Sequence, residues 1–202
     1  MKISDKIFNI KPEAGEPQPG KFLVAEPFLR EYYFNHAVIY ILEYALGKEC
    51  MGMVMNRRMT HSLSDVLMKE DAVGIPDDIP LFCGGPVSTD RLFYLHKVPG
   101  LIKNSSDVGN GIYYGGDFGD VLGCLREGLL SEDIIRFFVG YSGWSPYQLE
   151  DELAAGTWAV VNIPEKFPIL ENEDAGYWGN AVRTMGDRYS SWLIQPMNPT
   201  DN

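Results

Sequence analysis

The chain has 202 residues, carries a formal net charge of −11 at pH 7, and is 45% hydrophobic. This composition predicts one globular domain. The negative charge disfavours direct binding of nucleic acid because it would repel a phosphate backbone. The basic residues also do not resemble the stripe of a groove-reading helix. The sequence lacks an apolar run near the roughly 18 residues of a membrane span and a signal peptide, so we expect a cytoplasmic protein without membrane contact.

Both ends of the sequence are predicted to lie outside the folded domain. Prolines and glycines interrupt the stretch from residue 9 to residue 20 and prevent regular structure there. We therefore expect an extended lead-in over residues 1–20, a single domain over 21–195 and a loose tail over 196–202.

Short apolar runs rich in β-branched and aromatic residues predict most of the domain to be strands. The predicted strands cover residues 21–26, 36–42, 51–56, 81–83, 92–96, 111–114, 134–141 and 157–161. The second and third of these are expected to form a hairpin through the turn at Gly47.

Capping residues and apolar spacing predict four helices. They are a helix from Ser62 and Asp65 to about Glu70, one capped by Asp117 with Val121, Leu122, Leu125 and Leu129 on one face, one from Pro146 to Gly156, and one capped by Asp174. Strands outnumber helices and do not alternate with them. This favours an α+β domain with a large mixed, mostly antiparallel sheet over a doubly wound parallel sheet.

The corner between residues 136 and 150 is the most distinctive stretch. An aromatic strand ends at a serine bracketed by glycines, and a helix start follows, with Ser145 as its cap, Pro146 at its first position and Gln148 completing a capping box. Such a strand–turn–helix corner can present backbone N–H groups and side chains to a ligand.

Two candidate nucleophiles lie beside glycine turns. Ser142 is followed directly by Gly143, whereas a nucleophile elbow places one residue between the serine and the second glycine. We expect its hydroxyl to bond nearby backbone instead. Cys83 would be a reactive thiol beside a positive group, and otherwise a buried small hydrophobic residue.

The run Gly84-Gly85-Pro86 also has two interpretations. It predicts a sharp turn where φ is positive or where two backbones approach closely. The alternative is a small anion held on free N–H groups, although the run lacks the spacing and the lysine of a phosphate loop.

Acidic residues cluster in the helix after Trp144. Leu149 and Leu153 are four residues apart and mark its buried stripe, so Glu150, Asp151 and Glu152 are expected to face mainly solvent. Glu150 or Glu152 would act as a general base if it were buried beside an aromatic residue. Trp144 and Trp158 are expected in the core.

Neither the cysteines nor the histidines predict a metal site or a disulfide. The three cysteines are far apart and odd in number, which indicates free thiols in a reducing compartment. None of the histidine pairs has the i, i+4 spacing of a helical metal site, and only His96, at a strand end, is retained as a functional candidate. We expect no metal and no cofactor.

Several separated motifs, in order, resemble the bacterial YqgE/AlgH family. They are 20-GKFLVAEP-27, 34-FNHAVIYIL-42, 52-GMVMNR-57, 84-GGPV-87, 140-GYSGW-144, 148-QLE-150, 152-EL-153 and 156-GTW-158. The chain has Asn35-His36 where the family usually places a serine before the apolar strand.

The resemblance implies a compact α+β fold with a mixed sheet and no established enzymatic activity. Some family members are labelled transcriptional regulators through an effect on exopolysaccharide production. Ten residues match the family pattern and are expected to form a ligand or partner surface or the turns of the fold. They are Asn56, Arg57, Gly84, Gly85, Pro86, Tyr141, Gly143, Trp144, Gln148 and Glu150.

Three functional hypotheses follow. The first is a non-enzymatic regulatory or binding protein that acts through a protein partner or a small ligand in a pocket of aromatic and glycine-rich turns. The second is a hydrolase that uses Glu150 or Cys83 with Arg57. The third is a regulator that binds DNA directly, which the net charge disfavours.

Overall fold

The structure, a computed structural model, describes residues 15–171 and 174–194. Most of the predicted lead-in and the whole predicted tail lie outside these residues. The side chain of Asp174 is also outside them, and the cap predicted there remains a prediction.

The described chain folds into one α+β domain that contains ten strands. The strands are β1 Phe22–Ala25, β2 Val38–Glu43, β3 Cys50–Val54, β4 Arg58–Ser62, β5 Pro80–Cys83, β6 Val87–His96, β7 Ser106–Gly109, β8 Ile112–Tyr114, β9 Ile135–Trp144 and β10 Trp158–Val161. The helices are α1 Lys69–Ala72, α2 Phe118–Arg126, α3 Gln148–Ala155 and α4 Asp174–Thr184, followed by a 3-10 helix over Asp187–Ile194.

The strands form one curled, mostly antiparallel sheet in the order β10-β1-β2-β3-β9-β6-β8-β7. Outside this path, β4 pairs with β5, and β5 pairs in parallel with β9. That parallel pair makes the sheet mixed. The predicted fold class is confirmed.

Strand β9 joins the two halves of the sheet. Its first part pairs with β6 on one side and β5 on the other, and its last three residues pair with β3. At Gly140, between these parts, φ is +68°, a left-handed conformation that favours glycine. The strand can therefore change neighbours without leaving the sheet.

The Gly84-Gly85 turn crosses β9 at this position with almost no space between the two backbones. A Cβ on Gly84 would lie 2.3 Å from the carbonyl oxygen of Gly140, and a Cβ on Gly140 would lie 2.5 Å from that of Gly85. The N–H of Gly84 donates to Val139, and its carbonyl accepts from the N–H of Val54. The predicted sharp turn with closely approaching backbones is confirmed.

The curl of the sheet brings the β7–β8 hairpin against the start of the domain. The Tyr40 hydroxyl donates to the carbonyl of Gly109 at 3.0 Å, and the Asn110 side-chain amide donates to the carbonyl of Gly20 at 2.6 Å. These bonds connect strands that are not neighbours in the sheet order.

Both faces of the central strands are covered. Phe22, Val24 and Tyr40 face a core closed by α4 and the 3-10 helix, which contribute Tyr177 and Trp192. The alternate residues of β1 and β2 face α3 and the two indoles of Trp144 and Trp158. A third core packs α2 against β5, β6 and β9. This two-sided burial is the reason that β1 and β2 consist of continuous apolar runs.

Each of the eight predicted strands is present, but one predicted helix is wrong, and α3 begins at Gln148 after an N-cap at Tyr147 instead of at Pro146 after Ser145. Ser62 ends strand β4, and Asp65 accepts hydrogen bonds from the N–H and hydroxyl of Ser62 in a turn. Only Lys69–Ala72 is helical in this region. Asp117 caps α2 as predicted, but Leu129 lies beyond the end of that helix and is exposed.

We predict that Gly84→Ala lowers the free energy of unfolding by about 3 kcal/mol or more, the upper end of overpacking penalties. The added methyl group would meet backbone, which cannot rotate away as a side chain can. Urea denaturation measures the change. Gly100→Ala is the control, because a Cβ there has open space around it, and a comparable loss in both variants would contradict the prediction.

Candidate functional site

The ten residues predicted as a surface are distributed over three places. Asn56 and Arg57 lie after β3, next to the start of β2. Gly84, Gly85 and Pro86 form the turn that crosses β9. The remaining five, in β9 and α3, lie around the opposite end of the β2–β3 hairpin: Tyr141, Gly143, Trp144, Gln148 and Glu150. Of the turns at Asn56, Gly84 and Trp144, the one at Trp144 lines the groove described below, and Asn56 and Gly84 are not among its lining residues.

Asn56 and Arg57 hold the segment that leads into β2. The Asn56 side chain accepts from the N–H of Val38 at 3.0 Å and donates to the carbonyl of His36 at 2.8 Å. The Arg57 guanidinium donates to the carbonyl of Asn35. Asn56 thus provides hydrogen-bond partners for backbone groups at the start of β2 that are not paired within the sheet.

The Gly84 turn is engaged in backbone bonds and does not present a free anion cradle. The N–H of Gly84 donates to the carbonyl of Val139. The carbonyl of Gly84 also accepts a hydrogen bond from the Ser142 hydroxyl at 3.0 Å. Ser142 is fully buried. Its expected role, a hydroxyl bonded to backbone, is confirmed, although the carbonyl belongs to a distant segment of the chain.

A groove of about 310 Å³ lies where β3, β6 and the end of β9 meet. Three of the ten predicted residues line it: Tyr141, Gly143 and Trp144. The other lining residues are Glu43, Glu49, Cys50, Met51, Val87 and Ser145. Sequence analysis did not assign these six to a surface, because the groove forms only through the pairing of β3 with β2 and β9 and of β6 with β9, and the sequence pattern does not specify these registers.

The wall of this groove is aromatic and its rim is acidic. A Cβ on Gly143 would lie 3.1 Å from Cε2 of Tyr141, so the tyrosine ring covers the surface that this glycine leaves free. Glu43 and Glu49 are both exposed at the rim. Burial, followed by the charge of Glu43, raises the pKa of Tyr114, which places a second tyrosine near that carboxylate.

Glu152 does not face solvent as expected. Its Oε2 accepts from the indole N–H of Trp144 at 2.8 Å and from that of Trp158 at 2.7 Å. Gln148 donates to its other oxygen at 2.9 Å and also accepts from the N–H of Ser145 at 3.0 Å. One carboxylate therefore fixes both indoles and, through Gln148, the helix start beside the groove.

Glu150 is bound to the turn between β2 and β3. It accepts from the Tyr44 hydroxyl at 3.1 Å and from the N–H of Gly47 at 3.2 Å. Burial raises the pKa of Glu150, but its own N–H, that of Gly47 and the Tyr44 hydroxyl together lower it below the ordinary value. A carboxylate held ionised by donors is a structural anchor and a poor general base.

The form of the hydrolase hypothesis that uses Glu150 with Arg57 requires groups that the fold separates. Glu150 contacts the β2–β3 turn, whereas Arg57 contacts Asn35, before β2 begins. Strand β2 is 6 residues long, which at about 3.3 Å per residue separates the two by roughly 20 Å. The N–H of Cys83 donates to the carbonyl of Arg57, and the Cys83 thiol points to the carbonyl of Gly85 at 3.9 Å.

The buried polar residues His96 and Arg136 support the fold. His96 is fully buried, accepts from the N–H of Val98 and bonds the carbonyl of Gly115. Burial lowers the pKa of His96, and this pattern fixes a neutral ring with its proton on Nε2. Arg136, which sequence analysis did not select, donates to the carbonyl of Met55 and lies 4.1 Å over the Phe82 ring.

Within residues 15–171 and 174–194, there is no group of three or more histidine, cysteine or acidic residues that is placed to hold a metal ion. None of the helices in these ranges has the length and apolar character needed to cross a bilayer. Cys50, Cys83 and Cys124 are free thiols, as predicted.

Comparisons with known proteins identify the family. The AlgH-like family model matches residues 22–190. The chain belongs to the AlgH-like family. A UPF0301 protein of Bacteroides thetaiotaomicron is 33% identical over 205 residues and covers 100% of both chains. One of Parabacteroides distasonis is 34% identical and covers 98% of both.

Two solved structures share the fold of this AlgH-like chain. The AlgH protein of Pseudomonas aeruginosa aligns with a TM-score of 0.66 at 25% identity, over 90% of this chain and 98% of that one. Protein DIP2367 of Corynebacterium diphtheriae aligns with a TM-score of 0.73 at 22% identity, over 91% and 95%. These matches confirm the resemblance carried by the sequence motifs.

We predict that Glu152→Gln destabilises this AlgH-like protein by about 2 kcal/mol, in the range for hydrogen bonds to a charged group. An amide oxygen can take the position of Oε2 between the two indoles, but the N–H₂ group then faces the donating Nε2 of Gln148, and the acceptor loses its charge. Urea denaturation gives the stability, and near-UV circular dichroism reports the indole packing. Asp151→Asn is the matched control, because Asp151 is exposed, and equal loss in the two variants would contradict the assignment.

Proposed function

We propose that this AlgH-like protein is a non-enzymatic, cytoplasmic regulatory protein that binds a positively charged group of a protein partner or small ligand. The groove beside Tyr141 and Trp144 supports the proposal. Its size lies at the lower end of the range for small-molecule sites. It fits one side chain or a small cation.

The composition of the groove favours a cation. Glu43 and Glu49 supply carboxylates, and no lysine, arginine or histidine is among its lining residues. Tyr141 supplies an aromatic face, and a cation over such a face is stabilised by about 0.5–2 kcal/mol. The indole N–H of Trp144 is already bonded to Glu152, so this tryptophan contributes apolar surface only.

The net charge of −11 supports the same conclusion on a larger scale. A negative protein attracts basic partners over distances near the Debye length of about 8 Å in physiological salt. It repels duplex DNA. The transcriptional effect attached to the family label is therefore proposed to act indirectly, through the partner that occupies the groove.

The test is a titration of the full chain with N-acetyl-arginine methylamide and N-acetyl-lysine methylamide, followed by backbone amide shifts. We expect saturable shifts at Met51 and Gly143, which line the groove. The Glu43→Gln/Glu49→Gln variant is expected to bind about fivefold to tenfold more weakly, since two exposed charge pairs contribute up to about 1 kcal/mol each. Gly143→Ala should also weaken binding, because its methyl group displaces the Tyr141 ring.

Two controls decide the outcome. Asp151→Asn removes an exposed carboxylate outside the groove lining, and it should leave the affinity within twofold. The norleucine analogue has the same apolar stem without the charge. Equal binding of that analogue, or equal weakening by Asp151→Asn, would reject the proposed cation site.

A further inference from the structure

A second polar site, unrelated to the groove, lies at the other end of the β2–β3 hairpin. His36 has a φ of +49°, a conformation that non-glycine residues rarely adopt. The Asn56 side-chain amide donates a hydrogen bond to the carbonyl of His36, and the Arg57 guanidinium donates one to the carbonyl of Asn35. Strained residues fixed by their surroundings in this way occur at ligand-binding positions more often than elsewhere.

Arg57 has unused binding capacity in this site. Its Nε is buried and has no hydrogen-bond partner among the residues that the structure describes. A buried donor left unpaired costs about 1–3 kcal/mol, and more when it is charged. The bond from Nη2 to Asn35 fixes the guanidinium, so Nε keeps its direction, with its N–H not hydrogen-bonded within the described residues.

The His36 ring lies close to this arginine. Its Nδ1 is 2.6 Å from Oδ1 of Asn35, which can only accept, so Nδ1 carries the proton in the neutral ring. Nε2 then becomes a second donor when the ring is protonated. Trp178 of α4 packs against the ring with centroids 4.5 Å apart and forms an apolar wall.

Electrostatics explain why this pair needs an anion. Burial, followed by the charge of Arg57, lowers the pKa of His36. The ring is therefore mainly neutral near pH 7 while Arg57 stays charged. An anion in contact with both groups removes the repulsion between them and favours the protonated ring. Asn35 from the preceding loop and Trp178 from α4 pack on the ring without charge.

We propose that Arg57 and His36 form a binding site for a tetrahedral oxyanion of the kind that phosphate monoesters carry. Arg57 Nε supplies a permanent charged donor, and His36 Nε2 supplies a second donor once the ring is protonated. Guanidinium groups match phosphate oxygens in geometry and charge. This site would bind an anion, whereas the groove is proposed to bind a cation, so one protein would contact two chemically different ligands.

The test uses sulfate on the full chain, because its charge stays constant between about pH 5.5 and pH 8 while that of phosphate does not. Histidine ring resonances are recorded by NMR across this range. Bound sulfate is expected to raise the pKa of His36. Linkage then requires the sulfate affinity to rise as the pH falls through the His36 pKa, because binding takes up a proton.

Matched variants separate a specific site from general screening. Arg57→Lys keeps the charge but loses the directed Nε donor and should weaken sulfate binding at least tenfold. Arg58→Lys, at the exposed neighbouring arginine, should bind within twofold of the parent. His96 is an internal control, since both of its ring nitrogens are already bonded. Its resonances should not respond to sulfate.

Each contrary result overturns the proposal. A lack of saturable response at His36 up to high millimolar sulfate excludes the site, and equal loss in Arg57→Lys and Arg58→Lys shows non-specific screening. Acetate binding as tightly as sulfate assigns the site to carboxylates instead of phosphate monoesters. If Arg57→Lys does not fold, His36→Gln serves in its place: it should abolish the pH dependence of sulfate affinity, and a retained dependence rejects His36 as a donor.

Discussion

The fold depends on two backbones that touch. The Gly84-Gly85 turn lies directly against Gly140 and Tyr141, and the carbonyl of Gly84 binds both the N–H of Val54 and the hydroxyl of Ser142. At this point β9 leaves β5 and pairs with β3. The two halves of the sheet share one continuous curvature only because no side chain intervenes, and the position of the groove follows from this contact.

The polar residues of the sequence motifs mainly hold segments of the chain together. Asn56 satisfies the start of β2, Ser142 ties β9 to a distant turn, and Glu152 fixes two indoles in one layer of the core. The exposed carboxylates of the groove, by contrast, come from Glu43 and Glu49, outside the family motifs quoted for this chain. In this fold, motifs identify the scaffold, and less distinctive positions beside them shape the proposed binding surface.

The sequence predicted the elements that are defined by their own apolar pattern. β1 and β2 were found because both faces are buried, which gives uninterrupted apolar runs. β4 and β7 were missed because they are largely exposed and depend on pairing with a neighbour. The groove could not be predicted either. It requires the register of β3 with β9, and alternation within a single strand does not determine which residue lies opposite.

The bonds from Tyr40 to Gly109 and from Asn110 to Gly20 span 69 and 90 residues of the chain. Forming such long-range hydrogen bonds costs loop-closure entropy, and this cost falls once the strands between the bonded residues are ordered. The curl of the sheet is thus expected to close late in folding. Until then, the inner face of β1 and β2 has no β7–β8 hairpin against it, and a nascent chain would display this apolar surface to chaperones.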